Sequence, residues 1–172
     1  MKKRLCLMVL FSLFFFAFSI DAAEQKSALA PPFSLVDVSD KVINLSDFKG
    51  ENVILIFYVG YDWQPWLHQL VEFQRRLSQL KKYDAEVIAI ASRGDRKDVE
   101  KTKKALGITY PLIPGPNRKI AEEFKVYDQE RKRAIATLIL DKEGMIRFKF
   151  VSKDPEDRPS FSKILEVLQE IK

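Results

Sequence analysis

Thiol and imidazole groups are almost absent from this sequence, which has one cysteine, Cys6, and one histidine, His68, among 172 residues. Cys6 lies inside an apolar run near the N-terminus, so removal of that run would leave no thiol and no possible disulfide. A single imidazole without other soft ligands cannot assemble a metal site. The sequence therefore predicts no metal and no other cofactor.

Several sequence motifs of catalysis and binding are also missing. There is no glycine loop that could hold a phosphate, no nucleophilic-serine elbow and no paired-carboxylate motif. Arg93-Gly-Asp95 matches a cell-adhesion tripeptide, which we attribute to chance. The net charge is only +5, and acidic residues interleave with most of the basic clusters. A nucleic-acid footprint needs a stronger patch of one sign, so no nucleic-acid partner is predicted.

The first 23 residues have the order of a secretory signal. Met1 to Arg4 is basic, Leu5 to Phe18 is apolar except for Ser12, and small residues follow as far as Ala23. The apolar run ends at Ile20 and is short for a bilayer span, although an uncleaved membrane anchor is the alternative. We expect residues 1–23 to be removed, which lowers the net charge to +3. The remainder would be periplasmic or secreted, without membrane association.

A polar lead-in, residues 24–32, precedes a predicted domain over residues 33–172. Seven consecutive apolar residues, Val53 to Val59, indicate a central parallel strand that is covered on both faces. Apolar residues at helical spacing from Trp66 predict one long amphipathic helix that ends near Lys82. The other predicted strands are 33–38, 41–45, 86–91, 134–141 and 145–151, and the other predicted helices are 96–106, 119–124 and 160–171.

This order predicts a three-layer α/β domain. Strand–helix–strand stretches favour a parallel central sheet with right-handed crossovers. The predicted hairpin over 134–151 would add antiparallel strands to that sheet. About 149 residues can bury a core large enough to need no disulfide.

Five segments of the chain together carry a resemblance to a known family. They are Ala30 to Leu35, Leu45 to Gly50, Val53 to Gly60, Thr137 to Gly144 and Asp154 to Ser160. In this order they resemble the redoxins, and more narrowly the AhpC/TSA type of peroxiredoxin-like protein in the thioredoxin superfamily. The resemblance implies a thioredoxin-like α/β/α sandwich with a central mixed sheet and an N-terminal β-hairpin extension. It also implies thiol peroxidase or disulfide oxidoreductase activity.

The sequence departs from that family at the positions that carry its chemistry. Trp63 and Trp66 stand where the resemblance places the two cysteines, and Ile135 stands where it places a cis-proline or a catalytic arginine. A thiolate can attack an O–O or S–S bond, whereas an indole has no lone pair available for that attack. The chain is therefore predicted to be a pseudoenzyme with no catalytic residue.

We expect a binding surface where the family has its active site. Trp63, with Tyr61, Asp62 and Trp66, could bind an unidentified protein or a small apolar ligand. The structural alternatives are that both tryptophans pack as core, which we favour for Trp66, and that Asp62 caps the helix. Three functions stay open: a binding module, a redox role with a thiol from a partner or other chemistry at Asp62 or His68, and a general holdase. The oligomeric state is not predicted.

Overall fold

The computed structural model describes residues 28–60, 64–154 and 156–171. The predicted signal over residues 1–23 lies outside these residues. The strands are β1 (Ser34–Val36), β2 (Val42–Asn44), β3 (Asn52–Tyr58), β4 (Ala85–Ala91), β5 (Leu112–Ile113), β6 (Tyr127–Asp128), β7 (Arg133–Ala134), β8 (Ala136–Leu140) and β9 (Ile146–Val151). The helices are α1 (Gln64–Arg75), α2 (Leu77–Leu80), α3 (Arg96–Leu106), α4 (Arg118–Glu123) and α5 (Phe161–Glu170).

A five-stranded mixed sheet forms the middle layer, with strand order β5-β4-β3-β8-β9. Strands β3, β4 and β5 are parallel, and β8 and β9 are antiparallel to their neighbours. The predicted N-terminal hairpin is present as the antiparallel pair β1–β2. These features confirm the predicted thioredoxin-like α/β fold.

Strand β3 is buried along its whole length, as the unbroken apolar run predicts. Its side chains alternate between two cores because successive residues of a strand point to opposite faces. Ile54 and Ile56 belong to the core shared with α1, α3 and α5. Val53 and Leu55 belong to the core shared with the N-terminal hairpin and α4. The sheet thus has a cover on each side, which gives the three layers.

The predicted long helix is interrupted in the structure. Helix α1 ends at Arg75, and Arg76 leaves helical geometry with φ −112° and ψ 13°. Its N–H is shared between the carbonyl oxygens of Glu72 and Phe73. A short helix α2 and a 3-10 turn over Lys81–Tyr83 follow. Hydrophobic spacing continues across this break because Leu80 is buried in the same core, so periodicity alone could not reveal it.

Three short strands differ from the sequence prediction: β5 and β6 were not predicted, and Ala134 of β7 was predicted to belong to the strand 134–141, which the structure divides at Ile135. Strand β5 has two residues, and β6 pairs with β7 as another short hairpin. Such short strands carry too little alternation to be recognised in a sequence. In the described part of the predicted lead-in, Leu29 pairs with Met145 and Ala30 is buried, so residues 29–30 pack against the domain.

A buried carboxylate organises the turn between β8 and β9. The Oδ1 atom of Asp141 accepts the N–H groups of Glu143 and Met145 at 3.0 and 2.8 Å. Its Oδ2 atom accepts Arg147 Nε at 2.5 Å. Burial alone would raise the pKa of Asp141, but the hydrogen bonds and the charge of Arg147 together outweigh it and lower the pKa.

Replacing Asp141 by Asn should therefore destabilise the protein in a pH-dependent way. A lowered pKa in the folded state stabilises the fold above the ordinary Asp pKa of about 3.9, and the gain is lost as the pH falls through the folded-state value. We expect Asp141→Asn to lower the free energy of unfolding by about 1–3 kcal/mol at pH 7. That difference should shrink between about pH 5 and pH 2 in urea titrations.

The matched control is Asp40→Asn, because the Asp40 carboxylate pairs with Arg96 while its side chain is 86% exposed. Exposed ion pairs contribute about 0–1 kcal/mol, so this variant should change the free energy of unfolding little. Equal losses in the two variants would contradict the role given to Asp141.

Candidate binding site at the start of helix α1

The carboxyl end of β3 leads directly to the predicted site. Val59 is buried and Gly60 has φ +143°, and a Cβ on Gly60 would lie 2.8 Å from the carbonyl oxygen of Arg93. Only glycine fits this close approach of two loops without strain. Helix α1 begins at Gln64, which places Trp66 in its first turn.

The binding residues predicted from the sequence lie at the limit of what the structure describes. Tyr61, Asp62 and Trp63 are outside the described residues, as is the side chain of Trp66. The described residues on either side are Gly60, which follows the central strand, and Gln64, which begins α1. Gly60 lies at the carboxyl edge of the parallel strands. In open α/β sheets this edge is where ligands bind.

Two other loops lie at this edge, one in contact with β3 and the other with β4. The N–H and the hydroxyl of Ser92 donate to the carbonyl oxygen of Tyr58 at 2.7 and 3.0 Å. The Asn117 amide donates to the carbonyl oxygens of Ala91 and Pro114 at 3.2 and 2.7 Å. The bond between Gly115 and Pro116 in the second loop is cis. These contacts tie three loops into one rim beside the start of α1.

Ile135 lies between β7 and β8 and is 3% exposed. Its carbonyl oxygen accepts the N–H of Ser152 at 2.9 Å. It packs in the core shared with α1 and α5, and it also borders a cavity of about 210 Å³ with Lys125 and Lys153. An aliphatic side chain here can contribute packing but no charge and no hydrogen bond.

Buried polar groups beneath the start of α1 were not identified from the sequence. Gln69 in α1 donates through Nε2 to Thr137 Oγ1 in β8 at 3.2 Å, and both residues are 1% exposed. Among the described residues, the buried Gln69 Oε1 atom and the buried Tyr58 hydroxyl have no hydrogen-bond partner. A buried polar group without a partner costs free energy.

The buried phenols offer no acid–base chemistry near neutral pH. Burial raises the pKa of Tyr58. The pKa of Tyr110 is raised mainly by its burial and to a smaller extent by the charge of the nearby Tyr58 phenolate. The Tyr110 hydroxyl donates to the carbonyl oxygen of Leu70 at 2.9 Å. Both phenols stay protonated, so neither can act as a nucleophile.

His68 lies exposed on α1. No group of three or more His, Cys, Asp or Glu residues that could hold a metal ion occurs in the part of the chain that the structure describes. Instead, His68 borders an open groove with Glu72, Arg75, Arg76 and Arg158. Sequence reasoning did not find this groove, because Arg158 comes from the distant segment before α5.

The fold and this strand-to-helix junction together define a thioredoxin-like protein of the redoxin class. The chain belongs to the AhpC/TSA family, whose family model matches residues 27–149. Within this family it is similar to a chloroplastic peroxiredoxin Q of Sedum lineare. The two are 28% identical over 158 residues, covering 90% of this chain and 83% of that protein. It is also 28% identical over 150 residues to the chloroplastic peroxiredoxin Q of Oryza sativa subsp. japonica, covering 86% of this chain and 68% of that protein.

Solved structures agree with this assignment at the level of the fold. Peroxidoxin BcpB from Mycobacterium tuberculosis superposes with a TM-score of 0.73 at 17% identity, covering 85% of this chain and 97% of that one. Enterococcus faecalis AhpC gives a TM-score of 0.74 at 20% identity, covering 84% and 90%. Across residues 28–60, 64–154 and 156–171, no helix is long and apolar enough to cross a membrane.

Fluorescence can place the two tryptophans, since the chain has only Trp63 and Trp66. If Trp63 is at the surface and Trp66 in the core, acrylamide should quench Trp66→Phe, which keeps Trp63, more strongly than Trp63→Phe. The emission of Trp66→Phe should also lie at longer wavelength, because water relaxes around an exposed indole. Equal quenching in the two variants would contradict the predicted difference.

Proposed function

We propose that this protein is an exported redoxin-fold binding or accessory module without thiol-redox activity of its own. The observation that carries the proposal is the absence of a cysteine outside Cys6 in a chain that belongs to the AhpC/TSA family. Cys6 is in the predicted secretory signal. If export removes that signal, no thiolate is left to attack a peroxide or a disulfide.

The described surroundings of the site support the same interpretation. Tyr58 and Tyr110 are held neutral, Gln69 is uncharged, and Ile135 is a packing residue. None of them can replace a thiolate as a two-electron nucleophile under ordinary conditions. Fold alone does not determine activity, so family membership does not restore the reaction.

A tryptophan at the surface would give this location a binding function in place of the chemistry. Trp63 would present a large, rigid apolar face with one N–H donor, a combination common in binding hot spots. The polar groups of Asp62 and Tyr61 would flank it. The proposed partner is a protein or a small apolar ligand of the periplasm or the extracellular space.

A second function is favoured by the family assignment itself. The similar proteins named above are peroxiredoxins by description, so a redox role in which a partner supplies the thiol is the alternative. In that case the chain would position a substrate at Trp63 while the partner provides the sulfur.

The predicted lack of peroxidase activity can be tested on the exported protein, purified from cells that express the full chain. With hydrogen peroxide and dithiothreitol, we expect peroxide consumption equal to that of a blank that contains dithiothreitol but no protein, because the protein supplies no thiolate. The measurement is a peroxide assay at neutral pH with an active peroxiredoxin as the positive control. Cys6→Ser is the matched variant: turnover in the wild type would refute the proposal, and its loss in Cys6→Ser would assign it to a retained Cys6.

The binding role predicts a dependence on Trp63. In a pull-down from the envelope fraction, Trp63→Ala should recover much less of a specific partner, since truncating a tryptophan hot spot costs roughly 2 kcal/mol or more, which is about 30-fold in affinity. Leu29→Ala is a suitable control because Leu29 is an apolar residue that is 68% exposed elsewhere on the surface. Equal recovery with Trp63→Ala and wild type would exclude Trp63 as the anchor. A partner that restores peroxide turnover when added back would favour the alternative.

A further inference from the structure

An open groove of about 480 Å³ lies between the outer face of α1 and the segment before α5. We call it the arginine groove, and its lining residues are His68, Val71, Glu72, Arg75, Arg76 and Arg158. On α1 these side chains recur at three- and four-residue spacing, so they share one side of the helix. The volume is in the range of about 300–1,000 Å³ that is typical of pockets for drug-sized ligands.

Positive charge exceeds negative charge in this groove. Three guanidinium groups line it, and Glu72 is the sole carboxylate among its described lining residues. Glu72 lies 3.5 Å from Arg76. Arg75 is exposed and makes no hydrogen bond or ion pair with the described residues around it. By contrast, Arg96, Arg118 and Arg131 each pair with a carboxylate at 2.7–2.9 Å.

One of the arginines is held in position before any ligand arrives. The guanidinium carbon of Arg76 lies 4.7 Å from the centroid of the Phe161 ring, a cation–π contact. Phe161 is itself buried and packs edge-on against Phe73. A side chain fixed in this way loses less conformational entropy when it binds.

Arginine suits carboxylate ligands because its planar fork can donate two parallel hydrogen bonds. The groove is too large for a single carboxylate, and the charge elsewhere on the protein is too mild and mixed for nucleic acid. We propose that the arginine groove binds an acidic peptide segment of a partner protein, with Arg75 and Arg76 as the principal contacts. This inference does not depend on Trp63 or on the absence of redox activity.

The test uses the exported protein and a fluorescein-labelled octapeptide of Asp and Glu, with an Asn/Gln octapeptide as the uncharged control. Fluorescence anisotropy should show binding of the acidic peptide alone, weakening as salt is added. Arg75→Gln should weaken it about tenfold, as expected for a charge-assisted contact, and Arg75→Glu should weaken it further. Arg118→Gln, in an exposed arginine on α4, should change it by no more than about twofold.

Since Arg75 is exposed, its variants should retain the wild-type circular dichroism spectrum, which keeps the comparison valid. The proposal is overturned if the wild type does not bind the acidic peptide, or if Arg75→Gln and Arg118→Gln lose the same affinity. Vesicles containing phosphatidylglycerol provide a second arm. Arg75-dependent binding to these vesicles without binding to the peptide would reassign the groove to a lipid headgroup.

Discussion

The burial of β3 on both faces is the constraint on which the rest of the structure depends. All seven of its residues are buried, so apolar side chains must cover each side of the sheet. Helices α1, α3 and α5 supply one cover, while the N-terminal hairpin and α4 supply the other. Because β3 is central, its end also fixes where α1 begins. The position of the candidate site follows from the packing of this one strand.

The junction between β3 and α1 is bordered by loops that hold one another in place. Gly60 permits the close approach of the Arg93 backbone, and the side chains of Ser92 and Asn117 donate to backbone carbonyl oxygens at the same edge of the sheet. All of these contacts join residues other than the four proposed to bind a partner. This edge of the sheet therefore places its packing demands on residues separate from the proposed binding residues.

Sequence reasoning succeeded where a local pattern carried the information. The apolar run 53–59, the helical spacing after Trp66 and the hairpin over 134–151 all correspond to real elements. It failed where tertiary contacts decide the outcome. The end of α1 at Arg75 is hidden because Leu80 continues the apolar spacing beyond it. Strands β6 and β7 are too short for alternation to be read, and their pairing depends on neighbouring packing.

The sequence by itself determined the fold class, through periodicity, and the scarcity of thiols, through composition. Periodicity is informative because the residues that face a common core recur at every second position of a strand and at every third or fourth position of a helix. Only the tertiary structure joined Gln69 to Thr137, buried Ile135, and brought Arg158 beside Arg75 and Arg76. Those contacts join residues far apart in the chain. They depend on how the helices sit on the sheet, which no short sequence pattern encodes.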